Sequence, residues 1–353
     1  MSKPRSGSVV GPAFLLAVAV VVTAAGCGSG GGSGSGSGGV VLKVGDQKGN
    51  SKTLLTAAGL LADFPHEIEW STFTSGPPLL EAASAGAIDI GGVGNTPPIF
   101  AAAANAKIAI VYSAKGNVES DAILVPEDSP LKDVKDLRGR NIAVSKGSSA
   151  HGQVLTTLGA AGLTTKDVTL NFLQPSDAYA AFQQKRVDAW AVWDPYTSQA
   201  LLEASARVLA DGAGSVGGAG SVAGDVAGGV AGGVAGGVAT ANGYTFQVAG
   251  RAALDDEGKS AAIKEFLKRI GKAQRWADEH REEWAKAWAA ETGLKPEVAR
   301  AAVNRGADLP VKLDDAVIAS EQGLADAFTA DGTLPGKVDF RKFVDGRFQG
   351  ELS

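Results

Sequence analysis

Cysteine is almost missing from this chain. Cys27 is the only one in 353 residues, so no internal disulfide supports the fold. A chain of this length buries enough surface to be held by its core alone. Histidine is nearly as scarce, with only His66, His151 and His280. No H-E-x-x-H, G-x-S-x-G, Walker loop or paired-cysteine spacing occurs. No metal site and no cofactor is therefore implied, and no spacing argues for an enzyme. An enzyme built on carboxylates alone is the rival that this pattern leaves open. Basic runs are lacking too: Lys and Arg number 33 against 38 Asp and Glu, for a net charge of −5. Such a body argues against nucleic acid as a partner. It does not argue against a small anion, because local dipoles rather than net charge set that affinity.

What is present begins with Lys3 and Arg5, an apolar run from Val9 to Ala25, and then Gly26-Cys27. A basic start, an apolar stretch and small residues before the break describe an export signal. The lone cysteine after Ala-Ala-Gly is similar to a bacterial lipobox, with Ala24 at the place usually held by leucine. Residues 1–27 thus read as an export signal with a lipobox and Cys27 as the lipidation site. The expected location is extracytoplasmic, either lipid-anchored at the cell membrane or periplasmic. An ordinary secretory signal with an incidental cysteine is the plain alternative. Residues 28–39 are only Gly and Ser and read as a flexible tether of roughly 20 Å reach.

From residue 40 onward, strand-like and helix-like stretches alternate. Strands are expected at 40–47, 68–73, 88–93, 108–113, 122–130, 142–145, 168–173, 187–193 and 243–250. Helices are expected at 51–64, 79–86 after a turn at 75–78, 97–105, 150–161, 176–186 and 194–205. Asp194 reads as the N-cap of that last helix and Pro195 as its first residue. Longer amphipathic helices follow at 257–277, 279–291, 296–304 and 314–329. Repeated β-α-β runs imply mostly parallel sheets covered by helices. The pattern predicts two α/β lobes joined by two crossing strands that act as a hinge. Lobe 1 is assigned 40–124 and 243–353, and lobe 2 is assigned 125–211. Between them, residues 212–242 hold valine at 222, 226, 230, 234 and 238 among Gly and Ala. Glycine at that density rules out a stable helix and marks a low-complexity insertion.

Two strand-to-helix corners carry most of the functional information. In one, Gly94, Asn95 and Thr96 turn into a helix opened by Pro97 and Pro98. In the other, Lys146 to Ser149 precede a helix starting near His151. Helix N-termini carry free N–H groups and partial positive charge, so both corners are candidate oxyanion sites.

Five blocks taken in order resemble one family: GDQKGN (45–50), TSGPPLLEA (74–82), GAIDIGGVGNTPPIFA (86–101), LVPEDSPLKDVKDLRGRNIAVSKGSSAHG (124–152) and AFQQKRVDAWAVWDPY (181–196). They resemble the binding proteins of ABC importers for aliphatic sulfonates. The wider group includes binding proteins for taurine, nitrate and bicarbonate and for thiamine precursors. The resemblance implies a type II periplasmic-binding-protein fold, two lobes with mixed, mostly parallel sheets and a hinge. It implies a small sulfonate anion as ligand, an ABC permease as membrane partner, attachment to the membrane through a lipid anchor, and a monomer. Asn95 stands where such proteins often have Asp. Taurine, nitrate or another small anion, or a thiamine precursor, is the alternative ligand, and an enzyme is the more distant one.

Within that frame the candidate ligand-binding residues are Gln47, Asn95, Thr96, Gly147, Ser148, Ser149, Trp193, Asp194 and Tyr196. Gln47 ends the first strand and either donates to a ligand oxygen or faces water. Lys48 offers a point charge, or points to solvent. Thr96 reads as a cap, with its neighbours' N–H groups facing the cleft. Gly147, Ser148 and Ser149 offer N–H and hydroxyl donors. His151 orients a ligand or caps the helix, and the structural role is preferred. Strand alternation puts Trp190 with Val192 on one face and Ala191 with Trp193 on the other. Trp193, at the strand end, is the candidate wall for an alkyl tail. Asp194 has its capping role as an alternative, and Tyr196 reads as a ring that closes over the ligand. Trp276, Trp284 and Trp288 read as packing.

Overall fold

The computed structural model describes residues 40–216 and 239–351. The export signal, Cys27, the tether and the valine repeat at 217–238 lie outside the described residues. In the first lobe, β1 (Val41–Gln47), β2 (Glu67–Phe73) and β3 (Ile90–Gly94) run parallel. Next in the chain come β4 (Ile108–Lys115) and, after the second lobe, β10 (Tyr244–Gly250) and β11 (Leu309–Val311). The sheet order is β11-β4-β10-β3-β1-β2. The second lobe holds β5 (Ala122–Pro126), β6 (Asn141–Val144), β7 (Thr169–Phe172), β8 (Ala189–Val192) and β9 (Ala206–Asp211). Its order is β7-β6-β8-β5-β9.

Both sheets are mixed, and antiparallel pairing is more prominent than the sequence suggests. β10 returns from the second lobe and wedges between β3 and β4, antiparallel to both. β5, the first strand after the outward crossing, is antiparallel to both β8 and β9. Because β5 pairs only in the second sheet, the crossing falls at residues 116–121, and residues 122–124 sit with the second sheet. β9, β11 and a short helix α7 (Arg251–Asp255) were not expected from the sequence. Each is brief, and its position is set by the neighbours it packs on rather than by periodicity.

The helices cover both faces of each sheet. They are α1 (Ser51–Ala57), α2 (Gly76–Ser84), α3 (Thr96–Ala103), α4 (Ser149–Ala160), α5 (Pro175–Gln183) and α6 (Tyr196–Glu203). After α7 come α8 (Glu257–Glu279), α9 (Arg281–Thr292), α10 (Pro296–Asn304) and α11 (Asp315–Asp331). Helix α1 is half the length expected. Gly59 adopts φ +70° and the Leu60 N–H reaches back to the Leu55 carbonyl, which ends the helix although the apolar run continues. The expected turn at 75–78 is instead the start of α2, with Pro77 and Pro78 in its first turn. Helix α6 begins at Tyr196, so Pro195 and not Asp194 holds the N-cap position.

Four apolar clusters fill the faces of the two sheets. Leu79, Ile99, Phe246 and Phe328 belong to one in the first lobe, and Leu42, Val44, Phe266 and Leu267 to the other. In the second lobe, Ala189 and Ala191 of β8 join Ile142 and Val154, whereas Trp190 and Val192 join Phe182. This is the alternation read from the sequence. The edges of the low-complexity stretch belong to the fold. The Gly212 carbonyl accepts the N–H groups of Thr240 and Ala241, both at 2.9 Å.

Candidate functional site

The carboxyl ends of β1 and β3, the start of β10 and the N-termini of α4 and α5 converge on one cavity of about 660 Å³ between the lobes. This is where open α/β sheets place ligands. Of the expected residues, Gln47, Asn95, Ser148, Ser149, Trp193, Asp194 and Tyr196 line it, as does Lys48. Thr96 and Gly147 do not. Thr96 is fully buried and its hydroxyl donates to Asn95 Oδ1 at 2.9 Å. The Gly147 N–H is spent on His151 Nδ1 at 3.1 Å, at a φ of +73° that suits glycine. His151 is itself buried among Phe100, Phe172 and Phe328, which pushes its pKa down to about 4. Its role here is structural.

The helix N-termini around the cavity are unequal donors. That of α1 is occupied by Asp46, whose carboxylate accepts the N–H groups of Ser51 (2.8 Å) and Lys52 (3.0 Å). Helices α2 and α3 each carry two prolines in the first turn, which removes two of the N–H groups an anion would use. Helix α4 keeps the N–H groups of Ser149 and Ala150, which as first-turn amides have no partner within the helix. Ser148 caps it, accepting from the His151 N–H at 3.4 Å while donating to the Ser145 carbonyl at 2.7 Å. So of α1 to α4, α4 provides the strongest donor corner, and the contribution of α3 is smaller than its sequence position suggests.

Side chains on the other walls are already engaged. Gln47 Nε2 donates to the Gly92 carbonyl at 3.2 Å. Asn95 Nδ2 donates to Asn242 Oδ1 at 2.8 Å, and Asn242 Nδ2 donates to the buried Glu321 at 2.7 Å. The Ser149 hydroxyl donates to Asp121 Oδ1 at 2.9 Å. Asp121 is half-buried in the cavity wall, and desolvation raises its pKa to about 7 despite that hydrogen bond, with Asp194 and Asp308 adding repulsion. Asp308 is also raised by burial, and it accepts from the Thr245 hydroxyl at 3.0 Å. Asp194 accepts from the Ser198 N–H (2.9 Å) and pairs with Arg305 at 2.7 Å, so it bridges lobes more than it offers itself to a ligand.

The aromatic wall has two parts. Trp193 and Tyr196 meet edge to face at 6.0 Å, and Trp284 and Trp288 stack on α9 at 5.5 Å. Both members of the second pair line the cavity. Sequence reasoning assigned them to packing, although their four-residue spacing on one helix was the available signal. Arg305, Asp121, Asp308 and Gln247 were missed. Nothing in the local sequence marks them, because their positions come from the crossings and from β10.

A two-lobed α/β chain with two crossing segments and an inter-lobe cleft of this polarity has the architecture of the periplasmic binding proteins. Residues 54–211 match the NMT1-like family. An Escherichia coli (strain K12) protein named for binding aliphatic sulfonates is 35% identical over 307 residues, covering 86% of this chain and 88% of its own length. The chain belongs to the family of aliphatic sulfonate-binding proteins. The alkanesulfonate-binding protein from Xanthomonas axonopodis pv. citri, solved bound to MOPS, aligns with TM-score 0.73 and 32% identity over 87% of this chain and 98% of that one. The periplasmic aliphatic sulphonate-binding protein of Escherichia coli aligns with TM-score 0.70 and 34% identity over 86% and 92%.

Proposed function

We propose that this protein is the substrate-binding component of an ABC importer. It captures an aliphatic sulfonate in the inter-lobe cleft and delivers it to a membrane permease, in the service of sulfur acquisition. The observation that carries this reading is the family relationship across nearly the whole length of its relatives. The cavity supports it chemically. A sulfonate is ionised at any physiological pH and needs donors, and the first turn of α4 brings Ser149, whose N–H has no helical partner, to the cavity wall. Gln47, Asn95 and Ser148 lie around the same space, and Trp193 and Tyr196 provide an apolar wall for the tail. The role is binding rather than catalysis.

Cys27 follows an apolar export segment and is read as a lipid attachment site, holding a monomeric receptor at the outer face of the membrane. A Cys27→Ser chain should move from the membrane fraction to the soluble one. Finding the unaltered chain already soluble and without lipid would overturn the anchor. Calorimetry of the purified protein with propane-1-sulfonate and propan-1-ol tests the ligand class. Heat with the sulfonate and none with the alcohol is expected, and silence with every sulfonate would sink the reading.

A further inference from the structure

Two buried side-chain oxygens near the cleft have no hydrogen-bond partner, Gln247 Oε1 and Glu321 Oε2. Gln247 belongs to the cavity wall, whereas Glu321 stands behind it on α11. Glu321 is fully buried, on a helix face it shares with Val317, Leu324, Ala325 and Phe328. An acid is costly there, and a leucine would fill the space without that penalty. The working oxygen is Oε1. Asn242, just before β10 on the return to the first lobe, donates through Nδ2 to Glu321 Oε1 at 2.7 Å and to Ser320 Oγ at 3.1 Å. Asn242 Oδ1 accepts from the Tyr244 N–H at 3.2 Å and from Asn95 Nδ2 at 2.8 Å. The order of donors along this chain is fixed. Turning the Asn242 amide over would set its oxygen against the Glu321 oxygen and its nitrogen against the Tyr244 N–H. Asn95 therefore presents its nitrogen to Asn242, and the second N–H of that nitrogen has no partner among the described residues. Asn95 lines the cavity beside the α4 corner: a Cβ on its neighbour Gly94 would lie 3.2 Å from the Ser149 Cβ.

We propose that Glu321 is a positioning residue for the bound anion. Through Asn242 it holds the Asn95 amide with an N–H turned into the cleft, where that N–H joins the Ser149 N–H on the sulfonate oxygens. This rests on the sulfonate reading above. An anion takes donors and is repelled by acceptors, so an Asn95 amide free to turn over would offer its oxygen part of the time and weaken binding. Glu321 touches no ligand itself. It acts two hydrogen bonds away, and this accounts for an acid buried behind the wall rather than in it.

The test is calorimetry of the full chain with propane-1-sulfonate. Glu321→Leu is expected to weaken binding about five- to tenfold, the range of one lost hydrogen bond. Glu321→Gln keeps an acceptor for Asn242 and should recover most of that loss. The decisive comparison is made in an Asn95→Ala background. There Glu321→Leu should change affinity by less than about twofold, because the residue through which it acts is gone. A packing defect in α11 would instead weaken binding by the same factor with and without Asn95. That equal factor overturns the proposal, as does an unaltered affinity in Glu321→Leu or a Glu321→Gln chain that binds as weakly as Glu321→Leu. If Glu321→Leu does not fold, Asn242→Ala takes its place in the same comparison, with the same expected result. Absence of binding by the unaltered protein overturns the sulfonate reading itself.

Discussion

Asp194 Oδ2 and Arg305 Nη1 meet at 2.7 Å and tie the second lobe to the first. Their side chains are only 8% and 20% exposed. Asp194 lies just before α6, and Arg305 just after α10. Lys295 and Glu203 pair beside them at 3.2 Å. Elsewhere across the cleft, the hydroxyls of Thr74 and Ser75 both donate to Gln174 Oε1, at 3.0 and 3.2 Å. Opening the lobes requires breaking these contacts, so they set part of the energy difference between open and closed forms.

The Asp194–Arg305 pair should show strong coupling. Arg305→Met leaves a nearly buried carboxylate with Ser198 as its remaining partner, which should lower stability by about 1–3 kcal/mol. Asp194→Asn in the same chain should restore part of that loss, since the stranded charge is gone. Urea unfolding of the two single variants and the double variant reads this directly. Strictly additive losses would mean that the pair is a solvent-screened contact of little value.

Ser148 offers a simpler case. Its hydroxyl caps α4 and also anchors the preceding turn through the Ser145 carbonyl. Ser148→Ala should lower unfolding free energy by about 1 kcal/mol, the usual worth of such a cap. An unchanged urea midpoint would show that the cap carries no weight in this helix.

These residues also show what the sequence discloses. The β8 alternation that separates Trp190 from Trp193 and the bounds of α8 to α11 follow from local periodicity, which survives without tertiary information. Both corners were visible as turns before helices. Which of their groups are free was not visible. Thr96 turns toward Asn95, and Gly147 gives its N–H to His151, because packing of α3 against α4 closes that space. Asp121 is far in sequence from Arg305 and Asp308, and only the crossings and the antiparallel insertion of β10 bring the three to one wall. Gln247 sits in an apolar strand and gives no local sign of its missing partner. The register of β10 shifts beside it, which a residue pattern does not encode.

The valine repeat should be dispensable. Its flanks are secured by their own contacts: the Gly212 carbonyl takes the Thr240 and Ala241 N–H groups, the Thr240 hydroxyl donates to the Asp211 carbonyl at 3.1 Å, and Val216 bridges to Ala210. Replacing residues 217–238 by a short Gly-Ser turn should keep sulfonate affinity within about threefold, under ~0.7 kcal/mol, because loop length enters closure entropy only logarithmically. Calorimetry and a melting curve check this. A large loss of either binding or stability would assign the repeat a packed role.

Stability should fall as pH rises from 6.5 to 8, and Glu321 should be a principal cause. This residue is fully buried on α11, its Oε1 accepts from Asn242 Nδ2 at 2.7 Å, and its Oε2 has no partner. Burial raises its pKa from 4.5 to about 8, against the smaller opposing effect of the Asn242 hydrogen bond. Between those values the folded chain holds a proton that the unfolded chain has released. The stabilisation is therefore complete below 4.5 and is lost as pH climbs toward 8. Asp46, raised to about 6, and Asp121, raised to about 7, act in the same direction, as does Asp308. His151, lowered from 6.5 to about 4, acts oppositely, but only between those two values. The interval from 6.5 to 8 thus isolates the carboxyl groups, with Glu321 the last of the groups valued here to ionise. Each group contributes at most ~1.4 kcal/mol per pH unit. Urea unfolding at the two ends of the interval should show the unaltered protein less stable at the higher pH. Glu321→Gln keeps a neutral group of the same shape and should flatten the slope while leaving the Asn242 contact. A protein equally stable at both ends, or a Gln variant that keeps the full slope, would mean that Glu321 is already ionised in the folded chain.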